Sequence, residues 1–330
     1  VSKDYVVTIT AREKAELLEL PADEKPLAGD ELTGRTIVSM ISPGTELGMA
    51  YLGDKFPGIV GYAAVFRVDK TGADVKDIKP GDVVFCTGPN GVGGHRSVQR
   101  VPRIACIPVP DGLAPETAVH ARMMCVSMST LTTTAARPPD KVLVTGLGPV
   151  GHLAAQIFQS CGYRVTAVDP VEARRKQAER KGVGRVLPAV PLGEADPLNG
   201  FALVVECSSH EQAVLEGCRV VRKRGEVVVV GVPRKRFTEI YAQELLEAVF
   251  RGYVTLRSGW EWEIARHPTD FRTGSVFGNL RGAIQWLAEG RVKVEGLYAR
   301  MHPRDCQRAY QDLLHRRTDA LSVVFDWTQA

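Results

Sequence analysis

The stretch from Lys141 to Gly151, KVLVTGLGPVG, restricts the fold more than any other part of the chain. Val142, Leu143 and Val144 are strand formers that run directly into Gly146-x-Gly148-x-x-Gly151, and Val150, Leu153, Ala154 and Ile157 then recur at helical spacing. The pattern predicts strand, tight turn, helix. In such a unit the first glycine permits the turn, the second lets backbone approach a pyrophosphate, and the third lets the helix pack close to the strand, with the helix N-terminus facing the phosphates. Glycine-rich turns are common, so the context has to carry the reading. A second strand, Tyr163 to Val168, ends in Asp169, about 20 residues past the glycines, where a carboxylate can accept hydrogen bonds from a ribose diol. The expected cofactor is NAD (NADH), held by Gly146, Gly148, Pro149, Val150, Gly151 and Asp169. NADP is disfavoured because Asp169 would repel a 2′-phosphate.

Around this stretch helix and strand alternate. A helix is expected from Met123 to Ala136, ended by Pro138 and Pro139, and later helices at Glu172–Lys181, after Ser209-x-x-Gln212, and at Gln243–Phe250. The spacing of Ser209 and Gln212 fits a capping box. Strands are expected at Arg185–Leu187, Ala202–Glu206, Glu226–Val230 and Tyr253–Leu256. Six strands with crossovers make a doubly wound parallel sheet whose ligand sits at the carboxyl ends of the strands.

Before this region, short β-runs broken by Gly, Pro and Asp (Tyr5–Thr10, Thr36–Ile41, Gly61–Val68, Asp82–Cys86, His95–Val101) suggest a compact, barrel-like β domain. After Trp262 come a helix (Leu280–Glu289), a β-like piece (Gly296–Arg300), a helix opening at Pro303 and a strand (Leu321–Asp326), too little for a third core. The tail is therefore expected to complete the first domain. This gives an α/β protein with a β-rich catalytic domain at 1–122 and 263–330, into which a Rossmann domain at 123–262 is inserted.

Composition narrows the partners. Lys and Arg exceed Asp and Glu by only 42 to 38, scattered along the chain, which argues against nucleic acid. Seven cysteines stand singly with no CxxC pair, as reduced thiols of a cytoplasmic protein would. VSKDYVVTIT lacks the apolar run of a signal peptide, and no window reaches the roughly 18 continuous apolar residues of a membrane span.

Taken in order, KPGDVVF (Lys79–Phe85), VPDGL (Val109–Leu113), VLVTGLGPVGHLAAQ, VTAVDP, FALVVECSS and RGEVVVVGV resemble the medium-chain dehydrogenase/reductase superfamily, which includes zinc alcohol and polyol dehydrogenases. The resemblance covers nearly the whole chain. It implies a GroES-like fold for the β-rich domain, and further cofactor contacts from Cys207, Ser208, Gly231 and Val232 after the fourth and fifth strands. It also implies a homodimer or tetramer joined near Tyr253 to Trp262.

The departures concern zinc. Where zinc-using members carry a Cys-x-(Ser/Thr)-Asp segment and a GHE segment, this chain has Ser42-Pro43-Gly44-Thr45-Glu46 and Gly61-Tyr62-Ala63. The third ligand falls near Cys125 or Val126, and the four-cysteine lobe of structural zinc is missing. Catalytic zinc usually needs three protein ligands, so no metal is expected. The zinc-less subset with SPGTE- or TGTE-like segments, to which bacteriochlorophyllide dehydrogenases belong, is similar, although Ala63 stands where those have Glu.

Without zinc, the alcohol proton must leave through a side-chain relay. By the resemblance Thr45 begins it. Tyr62, in the vacated ligand slot, either meets the substrate oxygen or fills the volume of the metal, and Glu46 or His120 could finish the relay. His95 stands in a slot the superfamily often gives to an aromatic, so packing is expected of it. Arg96, Arg100, Arg103 and Arg122 either recognise an anionic substrate or belong to the solvated surface. The expected function is zinc-independent, NAD-dependent interconversion of a secondary alcohol and a ketone on a small polar substrate (sugar, cyclitol or secondary metabolite). The competing readings are an NAD(P)H-dependent enoyl- or quinone-type reductase and a non-catalytic dinucleotide-binding sensor.

Overall fold

The computed structural model describes residues 3–23, 25–272 and 274–328. The outermost positions of the expected first domain, 1, 2, 329 and 330, lie outside them. Contacts divide the chain into two units: residues up to Arg122 with those from Val294 onward, and Met123–Lys293.

The first unit opens with β1 (Lys3–Ala11), β2 (Lys14–Pro21) and β3 (Glu31–Met40), followed by the short helix α1 (Pro43–Thr45) and a π-helical turn at Glu46–Tyr51. Then come β4 (Gly58–Ile59), β5 (Ala64–Thr71), β6 (Val83–Cys86), β7 (Val98–Pro102), β8 (Cys106–Pro108) and α2 (Pro115–Ala118). β1 pairs antiparallel with β2 and with β4. β3 is the hub of the larger sheet, pairing antiparallel with β5 and β7. Helix α3 (Ala121–Thr133) leads out of this unit, starting and ending earlier than its apolar pattern suggests.

The second unit contains β9 (Lys141–Thr145), α4 (Pro149–Ser160), β10 (Arg164–Val168), α5 (Glu172–Arg180), β11 (Val186–Leu187) and β12 (Phe201–Glu206). It continues with α6 (Glu211–Val220), β13 (Val221–Val229), α7 (Ala242–Gly252), β14 (Thr255–Ser258) and α8 (Val276–Ala288). The sheet runs β11-β10-β9-β12-β13-β14, all parallel, so the strand order reverses between β9 and β12. This is the expected doubly wound sheet. Val142 and Val144 pack with Ala154 and Phe158 on one face, while Leu143 packs with Val204 and Val227 on the other. Burial on both faces explains why the strands read as unbroken apolar runs.

Three expectations change here. Residues 263–293, expected in the β-rich domain, group with the parallel sheet. Helix α8 starts at Val276 rather than Leu280 because Ser275 caps it, its hydroxyl accepting from Gly278 N at 2.9 Å. Helix α6 has no capping box: its N-cap is His210, without a side-chain cap bond, and Ser209 lies in the left-handed region with φ 63°.

The chain ends in the first unit with β15 (Tyr298–Met301), a 3₁₀ turn at Pro303–Asp305, α9 (Cys306–Leu314) and β16 (Ser322–Asp326). β16 pairs antiparallel with β3, Val324 opposite Met40, and parallel with β15. Its Phe325, with Tyr310 of α9, joins Val7, Ile41 and Tyr51 in one buried cluster.

Candidate cofactor and catalytic sites

The glycines between β9 and α4 answer different demands. Gly146 has φ 83°, and a Cβ there would lie 2.7 Å from Ser208 Cα. A Cβ on Gly151 would lie 1.8 Å from Gly146 O. These two are required by the protein's own packing. Gly148 is the N-cap of α4, and a Cβ there meets nothing within 4 Å. Backbone at the positive end of a helix therefore faces open space, with Pro149 in the first turn needing no N–H partner, which is the arrangement that receives a phosphate.

Asp169, at the end of β10, is buried. Its Oδ2 accepts from Leu147 N at 2.7 Å and from Arg174 Nη1 at 3.4 Å, and its Oδ1 accepts from Val171 N at 2.8 Å. The carboxylate thus braces the glycine turn as well as standing where a ribose would be met. Arg175 Nη1 donates to the carbonyls of Asp169 and Pro170, 2.8 Å each.

At the ends of the two central strands, Glu206 of β12 lies beside Thr145 of β9 in register. Glu206 Oε1 accepts from Ser208 N at 2.6 Å and from the Ser208 hydroxyl. Glu206 Oε2 and Thr145 Oγ1 are buried without a hydrogen-bond partner. Burial raises the Glu206 carboxyl above the usual range, opposed by the Ser208 bonds. Two orphaned polar atoms where the sheet order reverses mark a place for a polar ligand. Val230 N and Gly231 N both donate to Glu206 O at 2.8 Å, a Cβ on Gly231 would lie 2.5 Å from Ser209 N, and Val232 is half exposed. Burial pushes the Cys207 thiol up, which disfavours the thiolate form.

In the first unit, Ser42 to Glu46 form a turn closed by Thr45 N and Glu46 N donating to Ser42 O, at 3.1 and 2.8 Å. Thr45 is half-buried. Glu46 is buried and fully engaged. Its Oε1 accepts from Ser42 N at 2.7 Å, and its Oε2 meets His95 Nε2 at 3.0 Å and accepts from Tyr310 Oη at 2.5 Å. His95 Nδ1 contacts Ser39 Oγ at 2.8 Å, which also accepts from Trp327 Nε1 at 2.8 Å. A Cβ on Gly61 would lie 2.8 Å from the His95 ring. His95 therefore ties together the 42–46 and 61–63 segments. It packs against Phe325 as expected of an aromatic slot, and it also hydrogen-bonds at both ring nitrogens.

Tyr62 is half-buried, and its backbone is clamped, its carbonyl accepting from Thr87 Oγ1 at 2.6 Å. The Arg122 guanidinium lies over its ring, 4.8 Å from the centroid. His120 is buried against Tyr298. Its Nδ1 lies 2.8 Å from Glu116 O, so that nitrogen carries the proton, and Nε2 is left as a buried acceptor with no partner. Burial lowers its pKa to about 4, and the ring is neutral.

Among the described residues, no three His, Cys, Asp or Glu side chains come together to hold a metal ion. Cys86 and Cys106 are core thiols raised by burial, and Cys125 Sγ donates to Val276 O at 3.5 Å. The knot around Glu46 escaped the sequence reading because its members lie up to 264 positions apart.

The family model for zinc-binding dehydrogenase matches residues 149–261. The chain is 24% identical over 275 residues to an alcohol dehydrogenase of Geobacillus stearothermophilus, covering 72% of this chain and 75% of that one. To an L-threonine 3-dehydrogenase of Streptomyces avermitilis it is 26% identical over 327 residues, covering 85% and 86%. Among solved structures it is similar to acetophenone reductase of Geotrichum candidum in complex with NAD (TM-score 0.80, 17% identity, 100% and 99% covered). It is also similar to a protein of Sinorhizobium meliloti described as a zinc-binding dehydrogenase and bound to NADP (TM-score 0.79, 17% identity, 99% and 100% covered). Among the described residues no helix is long and apolar enough to cross a membrane.

Proposed function

We propose that this chain, a member of the medium-chain dehydrogenase/reductase superfamily and an oxidoreductase of the alcohol dehydrogenase type, interconverts a secondary alcohol and a ketone with NAD and without catalytic zinc. The substrate is a small polar molecule of the sugar, cyclitol or secondary-metabolite kind. The observation that carries the reading is the open space over Gly148 at the N-terminus of α4, flanked by the buried acceptor Asp169. Gly148 to Gly151 hold the pyrophosphate and Asp169 the ribose diol. The nicotinamide, when bound, supplies the hydride acceptor or donor. Ser208, Gly231 and Val232 lie at the strand ends where that ring is met in this fold.

On the substrate side, Thr45 accepts the alcohol proton into the relay and Tyr62 contacts the reacting oxygen. Glu46 has its oxygens committed to Ser42, His95 and Tyr310, so its part is to hold the turn that carries Thr45. His120, neutral with an unfilled Nε2, accepts a hydrogen bond. Burial keeps the ring neutral, so Nε2 stays available to accept that bond.

Zinc independence is supported by donor chemistry. The 42–46 and 61–63 segments offer neither thiolate nor imidazole, and His95 is already engaged with Glu46 and Ser39. Self-association as a homodimer is supported by the open outer edge of β14, beside exposed Leu246, Phe250 and Tyr253.

Steady-state turnover of Thr45→Val tests the relay. Turnover should fall on the order of 10²-fold with NADH affinity nearly unchanged; wild-type turnover would remove Thr45 from the chemistry.

A further inference from the structure

A doubly wound sheet binds its dinucleotide at the carboxyl ends of the strands. At the amino ends of β9, β10 and β12 the same sheet has a cavity of about 480 Å³, a size in the range of small-molecule pockets. Lys141, Arg164, Thr166, Arg185, Glu194 and Phe201 line it, with Asp196 beside them. Side chains alternate along a strand, so Lys141 shares a face with Leu143, Arg164 and Thr166 with Val168, and Arg185 with Leu187. Leu143, Val168 and Leu187 pack in one cluster with Phe201. Three cations and a hydroxyl are thus gathered on one face, at one end of the sheet.

Thr166 is only 5% exposed, and its hydroxyl, in the cavity wall, has no hydrogen-bond partner among the described residues. A buried polar group left in that state calls for a ligand or solvent. Arg164 stands two residues earlier on the same face. Its Nε donates to Pro139 O at 2.8 Å, and its two terminal nitrogens have no hydrogen-bond partner among the described residues. Lys141 is its register neighbour on β9, and like charges side by side cost stability.

The other charges are accounted for. Arg185 meets both oxygens of Glu194. Lys141 donates to Asn199 O at 2.9 Å and lies in the field of Glu194 and Asp196. Asp196 Oδ1 accepts from Leu198 N and Asn199 N, at 2.8 and 2.9 Å, and its Oδ2 from Asn199 Nδ2 at 3.2 Å. Asp140, which also feels Arg164, is held by Arg222. Lys141, Arg164 and Arg185 against Glu194 and Asp196 leave one positive charge at the cavity, and Arg164 is the cation with donors to spare.

We propose that this cavity is a second ligand site, separate from the dinucleotide's, that takes the carboxylate of a small organic acid: the terminal nitrogens of Arg164 donate to both oxygens, and the Thr166 hydroxyl donates to one of them. A planar guanidinium matches a carboxylate in this two-pronged way. Lys141 adds a point charge, and Phe201 gives an apolar wall to the body of the acid. One carboxylate matches the single surplus charge, whereas a phosphate monoester brings about −1.5 to −2 and would leave the site negative. Arg164 and Asp169 stand at opposite ends of β10, about 16 Å apart along the strand, so acid and dinucleotide bind together. The site does not depend on which reaction the chain performs.

The test is calorimetric titration of the full chain, saturated with NADH, with benzoate, gluconate, AMP and inorganic phosphate at low ionic strength. At least one of the two carboxylates should bind at one site per chain, more tightly than AMP or phosphate. Arg164→Gln should weaken that binding at least about tenfold, and Thr166→Val, which keeps the side chain's shape and removes only the hydroxyl, about threefold or more. Both variants should keep NADH affinity and the urea midpoint near wild type. No binding of either carboxylate by wild type, or wild-type affinity in both variants, would overturn the proposal. So would carboxylate binding that NADH displaces, since it would place the acid in the dinucleotide site. Tighter binding of AMP or phosphate would overturn the choice of a carboxylate.

Discussion

Glu46 Oε2 lies 3.0 Å from His95 Nε2, and both side chains are buried. The same oxygen accepts from Tyr310, whose phenol burial and the Glu46 carboxylate push well above its usual range, so that it remains an O–H donor. One carboxylate thus links α1, β16's neighbour helix α9 and the segment before β7. Its role follows from what it would leave behind.

Replacing Glu46 with alanine strands the His95, Tyr310 and Ser42 donors in the core. Leaving a buried donor unsatisfied costs about 1–3 kcal/mol each, so Glu46→Ala should lose at least about 3 kcal/mol, and Glu46→Gln, which keeps an oxygen acceptor, about 1–2 kcal/mol. Urea denaturation measures both. An alanine variant within about 1 kcal/mol of wild type would show that the knot does not hold the turn.

His152 in α4 is buried, and its pKa is lowered from 6.5 to about 4 by burial, so the folded protein keeps it neutral. Between those values the unfolded chain takes up a proton that the folded chain refuses. Stability present above pH 6.5 is therefore lost as pH falls toward 4, by about 3 kcal/mol in all for this one group. His152→Gln should show a shallower decline in urea-derived stability over that range. A difference between variant and wild type that does not change with pH would contradict it.

Asp169 sets the cofactor preference. Wild type should bind NADH at least about tenfold more tightly than NADPH, because a buried carboxylate repels a 2′-phosphate, and Asp169→Asn should narrow that ratio while weakening NADH by about tenfold. Fluorescence titration of both nucleotides reads it directly. Equal or tighter NADPH binding by wild type would favour the enoyl- or quinone-type reductase reading.

The nucleotide-binding unit was legible because its signals are local: glycines at fixed offsets, strands apolar on both faces, and Asp169 at a strand end. Its misplaced boundaries have local causes too. Ser275, not the apolar Leu280, starts α8, and Ser209 sits in a left-handed turn that cannot serve as a helix cap. The substrate side was legible only as a departure. Sequence shows that Ser42–Glu46 and Gly61–Ala63 lack a thiolate and an imidazole, but what stands there instead is a set of long-range contacts. His95 reaches Glu46 across 49 positions and Arg122 reaches Tyr62 from the start of another helix, and no periodicity encodes either meeting.

The most direct measurement is alcohol oxidation by protein whose metal content is known. Purified enzyme dialysed against a strong chelator, with zinc quantified by mass spectrometry, is assayed for NADH formation on a panel of secondary alcohols. Turnover that is undiminished with zinc far below one equivalent per chain is the predicted result. Activity that disappears on chelation and returns on adding zinc would contradict the account.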